Sequence, residues 1–408
     1  MSAEVEKKTS SFESLIAPLR ADAFFSEHWE KSPLHQRRGH ESYYEPFLSS
    51  GDLERIIATE DLRYPAIQLA RHGGYFPPEA YTRNVNFGSE VFTGVPDIEK
   101  IQSEYRSGAT IVLPALHRTW APLKRLCDSL EEYFSHAVHA NAYITPGNTT
   151  GFSPHYDTHE VFVLQIGGRK RWRIFEPPIV LPHRSQPFVR TGYVPPAPLL
   201  ECDLSPGDLL YLPRGYVHSA ATSDGHSAHV TIGITVYTWV ELLSELVFSS
   251  KNTIDFRAAL PVGFSRAEGA KAALRAGLVE RLDALRKHID AEDLVASFNR
   301  RVLSARSRAH TTFRADVNVI GPDTVFETAA KGRYVLGVED GNTVLKLDGR
   351  KLLLPAGVRL TLEAICARPS FRAGELPRHL DDHATLAFLQ YLEGEGFLKQ
   401  VGTAVRTA

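Results

Sequence analysis

The feature that most constrains this chain is a succession of short runs rich in β-branched and aromatic residues, each closed by a turn signal. They are ATIVLP (109–114), NAYITP (141–146), EVFVLQI (160–166), KRWRIF (170–175), DLLYLP (208–213) and HVTIGITV (229–236). Short strands punctuated by Pro, Gly and Asp imply a β barrel or sandwich. Helical patterns precede them, in LIAPLRADAFFSEHWEK and ALHRTWAPLKRLCDSLEEYFSHA. A second region, 239–310, is helical, with Leu274, Leu278, Leu282 and Leu285 at helical spacing. A third, 311–408, returns to strands in GRYVLGVEDGNTVLKLDGRKLLLP and then to helices in LTLEAICA and ATLAFLQYLEGEGFL. It reads as a small α+β module with a β-ribbon.

The chain has 408 residues, a formal net charge of −2 and three widely spaced cysteines, Cys127, Cys202 and Cys366. The charge gives no electrostatic case for nucleic acid or an anionic membrane. An odd, scattered cysteine set argues against a disulfide framework or a zinc ribbon and fits a reducing cytosol. The N-terminus lacks the apolar core of a signal peptide, and no run approaches the roughly 20 apolar residues of a membrane helix. The expectation is a cytoplasmic protein. The basic stretch RRVLSARSRAH (300–310) reads as the cationic face of a helix end rather than a nucleic-acid site.

The segment SPHYDTHEVFVLQI (153–166) crowds His155, Asp157, His159 and Glu160 ahead of an apolar run. As a strand it would project His155 and Asp157 to one side. Alone, His-x-Asp describes many solvated strand starts. The stretch SPGDLLYLPRGYVHSA (205–220) adds a second strand whose Pro213 and Gly215 shape a turn presenting His218. Two imidazoles and one carboxylate make the facial triad of non-haem Fe(II) oxygenases, which leaves positions open for substrate and O₂.

Lys170 shares a strand face with Trp172 and Ile174, opposite Arg171 and Arg173. A lysine on an apolar face is costly unless it meets an anion or its ammonium reaches water along a buried stem. Asn141 and Tyr143 form a polar face on NAYITP, which either lines a pocket or holds satisfied interior polars. Thr231 shares a face with Thr235 on HVTIGITV.

HYD followed by GDLLYLPRGYVH resembles the cupin-fold JmjC-type 2-oxoglutarate oxygenases, and most closely their ribosomal-oxygenase branch. There the strand reads approximately P-H-x-D-x-x-(D/E)-V-F-x-x-Q-x-x-G-x-(K/R)-x-W-R. Pro154, His155, Asp157, Glu160, Val161, Phe162, Gln165, Gly168, Lys170, Trp172 and Arg173 fit it. FFSEHWEKSPLHQRRG (24–39) resembles the family's entry segment. The likeness implies a mainly β fold with α: a double-stranded β-helix (cupin/JmjC) catalytic domain over 1–238, a helical dimerisation domain over 239–310, and a winged-helix-like C-terminal domain over 311–408. It implies Fe(II) on His155, Asp157 and His218, with 2-oxoglutarate held by Lys170, Asn141, Tyr143 and, more weakly, Thr231. It also implies hydroxylation of an Arg or His side chain in a ribosomal protein, and a homodimer. Competing readings keep the chemistry on a peptide precursor or an N-methylated lysine, or make the shell a non-enzymatic scaffold. His159 is expected at the pocket rim, as a candidate substrate contact. Glu160 is expected to orient a neighbour or face solvent. His226 and His229 are given no role, and RGHESYYEPF (38–47) is a packing cluster or the edge of a substrate groove.

Overall fold

The computed structural model describes residues 11–59, 62–222, 225–288, 290–305, 320–330, 332–347 and 350–403. The chain divides into two compact units at the Val236–Tyr237 junction, beside the boundary expected at 238. The boundary expected at 310 lies outside the described residues.

The first unit opens with α1 (Phe12–Ile16) and α2 (Ala21–Glu27). Ser11 and Ser14 cap α1 reciprocally, and Pro18, with no N–H to give, keeps the two helices separate. There follow β1 (Leu34–Gln36), α3 (Ser50–Thr59), the hairpin β2 (Gln68–Arg71) and β3 (Gly74–Tyr75), and the ribbon β4 (Thr82–Phe87) and β5 (Glu90–Pro96). Then come α4 (Ile98–Arg106), β6 (Thr110–Leu113) and α5 (Ala121–Phe134), the last with proline in its first turn. The remaining strands are β7 (Ala137–Thr145), β8 (Glu160–Gly168), β9 (Lys170–Phe175), β10 (Leu200–Leu204), β11 (Leu209–Leu212), β12 (Val217–Ala221) and β13 (Ser227–Thr235).

These strands form a large antiparallel sheet, ordered β1-β11-β8-β13-β7-β6-β2-β3, and a smaller one, β10-β9-β12. Strand β8 shows why its sequence runs apolar without alternation. Its Phe162 and Leu164 join the core under the helices, while Val161 and Val163 join Trp172, Ile174, Cys202 and Leu204 of the smaller sheet. Strand β9 alternates as expected: Lys170, Trp172 and Ile174 are buried, and exposed Arg171 and Arg173 pair with Glu201 at 2.7 and 3.5 Å. Each of the six short runs read as strands in this region is one. In the 38–47 cluster, Tyr44 and Phe47 are buried in the main core, and Tyr43 donates to the Ser14 carbonyl at 2.5 Å. Tyr44 and Phe47 of the cluster are packing.

The second unit contains α6 (Trp239–Ser249), α7 (Ile254–Arg257), α8 (Glu268–His288) and α9 (Ala291–Ala305). Thr238 and Glu241 cap α6 reciprocally. Next are β14 (Thr324–Thr328), β15 (Tyr334–Glu339), β16 (Asn342–Leu347), β17 (Arg350–Leu354), α10 (Arg359–Cys366), β18 (Ser370–Arg372), α11 (Asp382–Gly394) and β19 (Leu398–Thr403). The expected ribbon is the three-stranded meander β15-β16-β17; β18-β14-β19 forms a second sheet. Phe326, Leu345, Leu362 and Leu389 centre a separate core. On α8, Leu278 and Leu282 are more than half exposed. The three cysteines are free.

Candidate metal centre

The segment carrying His155 and Asp157 is not a strand. Regular pairing begins only at Glu160, and residues 153–159 form a turn-rich loop in which His155 makes one isolated bridge, to His218. The expected strand periodicity therefore fails here, yet the side chains converge for another reason. The His155 N–H donates to the His218 carbonyl at 3.2 Å, and the His218 N–H returns to the His155 carbonyl at 2.8 Å. The Gly215 N–H donates to the Asp157 carbonyl at 3.0 Å. Gly215 has φ +93°, and a Cβ there would lie 2.5 Å from the Ile179 carbonyl oxygen. Glycine is required for this turn.

One donor atom from each of His155, Asp157 and His218 lies within 4.8 Å of the others. His155 Nδ1 is 2.8 Å from the Ser153 carbonyl, and His218 Nδ1 is 3.1 Å from the Tyr216 carbonyl. A carbonyl only accepts, so both rings carry their proton on Nδ1 and turn a free Nε2 lone pair to the site. Burial, reinforced by the neighbouring His155, pushes the His218 imidazole well down, keeping it neutral. Burial opposes ionisation of Asp157. The imidazoles of His159, His218, His155 and His139 outweigh it and hold the carboxyl below its ordinary value. A neutral His218 imidazole beside an ionised Asp157 carboxylate suits a divalent cation. The donor set fits Fe(II).

The site opens into a cavity of about 410 Å³ between the two sheets. At its far end Lys170 is 4% exposed, and its Nζ donates to Thr145 Oγ1 at 3.0 Å. Thr145 in turn lies 3.2 Å from Thr110 Oγ1. The lysine does not snorkel to water, and burial without an anion pulls its pKa to about 7. Tyr143 and His229 stack at 4.9 Å with ring planes 8° apart. Burial, then Lys170, keeps His229 neutral. Asn141 Oδ1 accepts the Ala115 N–H at 2.9 Å, which leaves its NH₂ as the donating end. Thr231 lies directly across the ladder from Asn141. All four expected cosubstrate residues line the same cavity as the triad.

His159 also lines this cavity, its ring 5.0 Å from that of His139. Two residues given lesser roles by the sequence reading need correction. His229 sits inside the cavity; it shares a strand face with Thr231 and lies opposite Tyr143, a signal present in the period-two pattern. Glu160 does not face solvent: it is fully buried and bonded to Arg214 and Tyr211. Thr145 was also missed, although it follows Tyr143 by two along β7. Tyr75, on the short edge strand β3, and Arg190, on a loop, reach the cavity from distant parts of the chain, and no local pattern marks them.

Residues 116–242 match the JmjC domain model, and the fold around the site is the double-stranded β-helix of a JmjC/cupin domain. Within that class the similarities are to ribosomal oxygenases. Ribosomal oxygenase 1 of Gallus gallus is 30% identical over 310 residues, covering 72% of this chain and 50% of the relative. The bifunctional lysine-specific demethylase and histidyl-hydroxylase NO66 of Branchiostoma floridae is 35% identical over 269 residues, covering 63% and 40%. The chain thus spans about half the length of these curated relatives, or less. The X-ray structure of Escherichia coli YcfD aligns at a TM-score of 0.53 and 18% identity, over 94% of this chain and 98% of that one. A YcfD structure in complex with cobalt and 2-oxoglutarate aligns at 0.50 and 17%. These structural likenesses establish the fold, as the sequence led us to expect.

Proposed function

We propose that the protein is an Fe(II)- and 2-oxoglutarate-dependent oxygenase that hydroxylates an amino-acid side chain of a protein. The observation that carries this reading is the pairing, in one cavity, of the His155–Asp157–His218 cluster with a buried lysine that meets no anion among the described residues. His155, Asp157 and His218 would hold the metal, leaving positions for cosubstrate and O₂. Lys170 would meet the distal carboxylate of 2-oxoglutarate, regaining its full charge as it does so, with Thr145 fixing the ammonium. The Asn141 amide and the hydroxyls of Tyr143 and Thr231 would donate to the cosubstrate's oxygens. With Fe(II) held there, O₂ would be the oxidant: one of its oxygen atoms would enter a substrate C–H bond and the other the succinate formed, with CO₂, by oxidative decarboxylation of 2-oxoglutarate. The chain's part is to position that bond and exclude water. His159, beside Asp157, is a candidate contact for the incoming side chain.

The substrate reading is an Arg or His side chain of a ribosomal protein, supported by the names of the relatives. Removal of an N-methyl group from lysine is a second reading, favoured by the demethylase named among them; a peptide precursor is the third substrate class. A homodimer built on 239–310 is supported by Trp239, Val247, Phe248, Leu278 and Leu282, all more than half exposed. The two small sheets and helices of 320–403 support a winged-helix-like module. We place the protein in the cytoplasm; among the described residues no helix is long and apolar enough to cross a membrane.

Purified protein with Fe(II), ascorbate and 2-oxoglutarate should form succinate, and Asp157→Ala should abolish it. Succinate formation unchanged in Asp157→Ala would overturn the reading. Mass spectra of ribosomal proteins from a deletion strain should lack a hydroxylation mark of about 16 Da that the parent carries; identical spectra would remove the ribosomal substrate.

A further inference from the structure

One buried ionic cluster has no part in the chemistry above. Glu160, the first residue of β8, accepts the Tyr211 hydroxyl at 2.5 Å on Oε2 and Arg214 Nη1 at 2.7 Å on Oε1. The same Nη1 binds the Glu30 carboxylate. The Glu30 N–H donates to the Tyr211 hydroxyl at 3.1 Å, and Glu30 holds φ +57°, a left-handed conformation uncommon for a residue with a side chain. Tyr216 adds a bond from its hydroxyl to the Lys31 carbonyl at 2.7 Å.

The placement of this cluster is what gives it meaning. Glu160 closes the loop that carries His155 and Asp157. Arg214 immediately precedes Gly215, whose N–H grips the Asp157 carbonyl, and lies in the turn that leads into β12 and His218. Both ligand-bearing turns are thus tied to each other and to the entry segment at Glu30 and Lys31. Burying a charged triad of this kind rarely stabilises a fold more than apolar packing would, so its contribution is sought in geometry. Groups that orient metal ligands commonly govern metal affinity without touching the metal.

We infer that Glu160, Arg214, Tyr211 and Glu30 form an ionic latch that sets the spacing of the Asp157 and His218 turns and thereby the affinity of the triad for its metal. They are positioning residues. The inference rests on the metal reading under Proposed function.

The test is a Co(II) titration of the full-length metal-free protein, followed by visible absorption, with far-UV circular dichroism and Tm measured alongside. Wild type should bind Co(II), and Asp157→Ala should not. Arg214→Gln should weaken binding by roughly ten- to a hundredfold and shift the d–d bands. Glu30→Gly separates affinity from stability. Glycine favours φ +57°, so the backbone gains what the lost contact costs, and Tm should hold while Co(II) affinity falls. If Arg214→Gln fails to fold, Glu30→Gly decides alone. Wild-type affinity and spectrum in a folded Glu30→Gly would overturn the latch. Failure of wild type to bind Co(II) in an Asp157-dependent way would show instead that the metal reading had failed, and the latch would fall with it.

Discussion

The two ends of the cavity are built by opposite means. The far end stands on three regular strands. Lys170 comes from β9, Tyr143 and Thr145 from β7, and His229 and Thr231 from β13, all in ladder register. At the metal end only His218 has a strand beneath it, near the start of β12; His155 and Asp157 stand on a loop joined to it by a single backbone bridge, a glycine at positive φ and an ionic cluster centred on buried Glu160 and Arg214. A strand fixes its side chains through many equivalent hydrogen bonds, so losing one contact there moves little. A turn held by a few specific bonds loses its geometry when one goes. Changes at the strand end should alter cosubstrate binding alone, whereas changes around the metal end should act through metal affinity.

The largest separation between the two ends is expected from Lys170→Met, measured as binding of 2-oxoglutarate to the Co(II)-loaded protein. Methionine fills the lysine's volume but gives no charge to a carboxylate. Cosubstrate affinity should fall by about 2 kcal/mol, or roughly thirtyfold, while Co(II) affinity stays at the wild-type value. Weakened Co(II) binding in this variant would break the proposed independence of the two ends.

A second effect follows from the depressed Lys170 pKa of about 7. Above pH 7 the free lysine is largely neutral, and a bound carboxylate restores its proton. Calorimetry at pH 8 in buffers of different ionisation enthalpy should therefore register net proton uptake on 2-oxoglutarate binding, and uptake should vanish in Lys170→Met. Equal heats in all buffers would mean that this lysine does not meet the anion.

A third effect, which does not separate the two ends, concerns the metal-free protein. His139, lowered to about 4 mainly by burial and then by His159, and His229, kept well below its ordinary value by burial and then Lys170, stay neutral in the fold. Unfolding would let both protonate below pH 6.5, so the unfolded chain binds more protons and stability falls as pH drops from 6.5 toward 4. Each imidazole contributes at most about 1.4 kcal/mol per pH unit, less where it keeps partial contact with water. Urea midpoints across this range should decline monotonically; a flat profile would place these rings in water.

The same contrast explains what was legible in the sequence. Strand faces obey a period of two, so the faces of Lys170, Asn141, Tyr143 and Thr231 follow from spacing while their part in cosubstrate binding came with the family resemblance; Thr145 and His229 lay within reach of the same period. The loop at 153–159 has no such rule. It imitates a strand in its polar–apolar spacing, but its convergence depends on one bridge to a residue far along the chain. Glu160, expected to orient a neighbour or face solvent, takes the first course, and the sequence did not decide between the two. A glutamate at a strand start reads as solvated until the fold brings Arg214 and Tyr211 against it. The leucines of α8 read correctly as a helical stripe, but spacing does not say what covers them.

The central claim is that His155, Asp157 and His218 grip one metal ion. Crystals grown with Co(II) and 2-oxoglutarate, measured on both sides of the cobalt edge, test it directly. The account predicts one strong anomalous peak within bonding distance of His155 Nε2, an Asp157 carboxylate oxygen and His218 Nε2, with the cosubstrate reaching toward Lys170. A peak on other residues, or none, would contradict it.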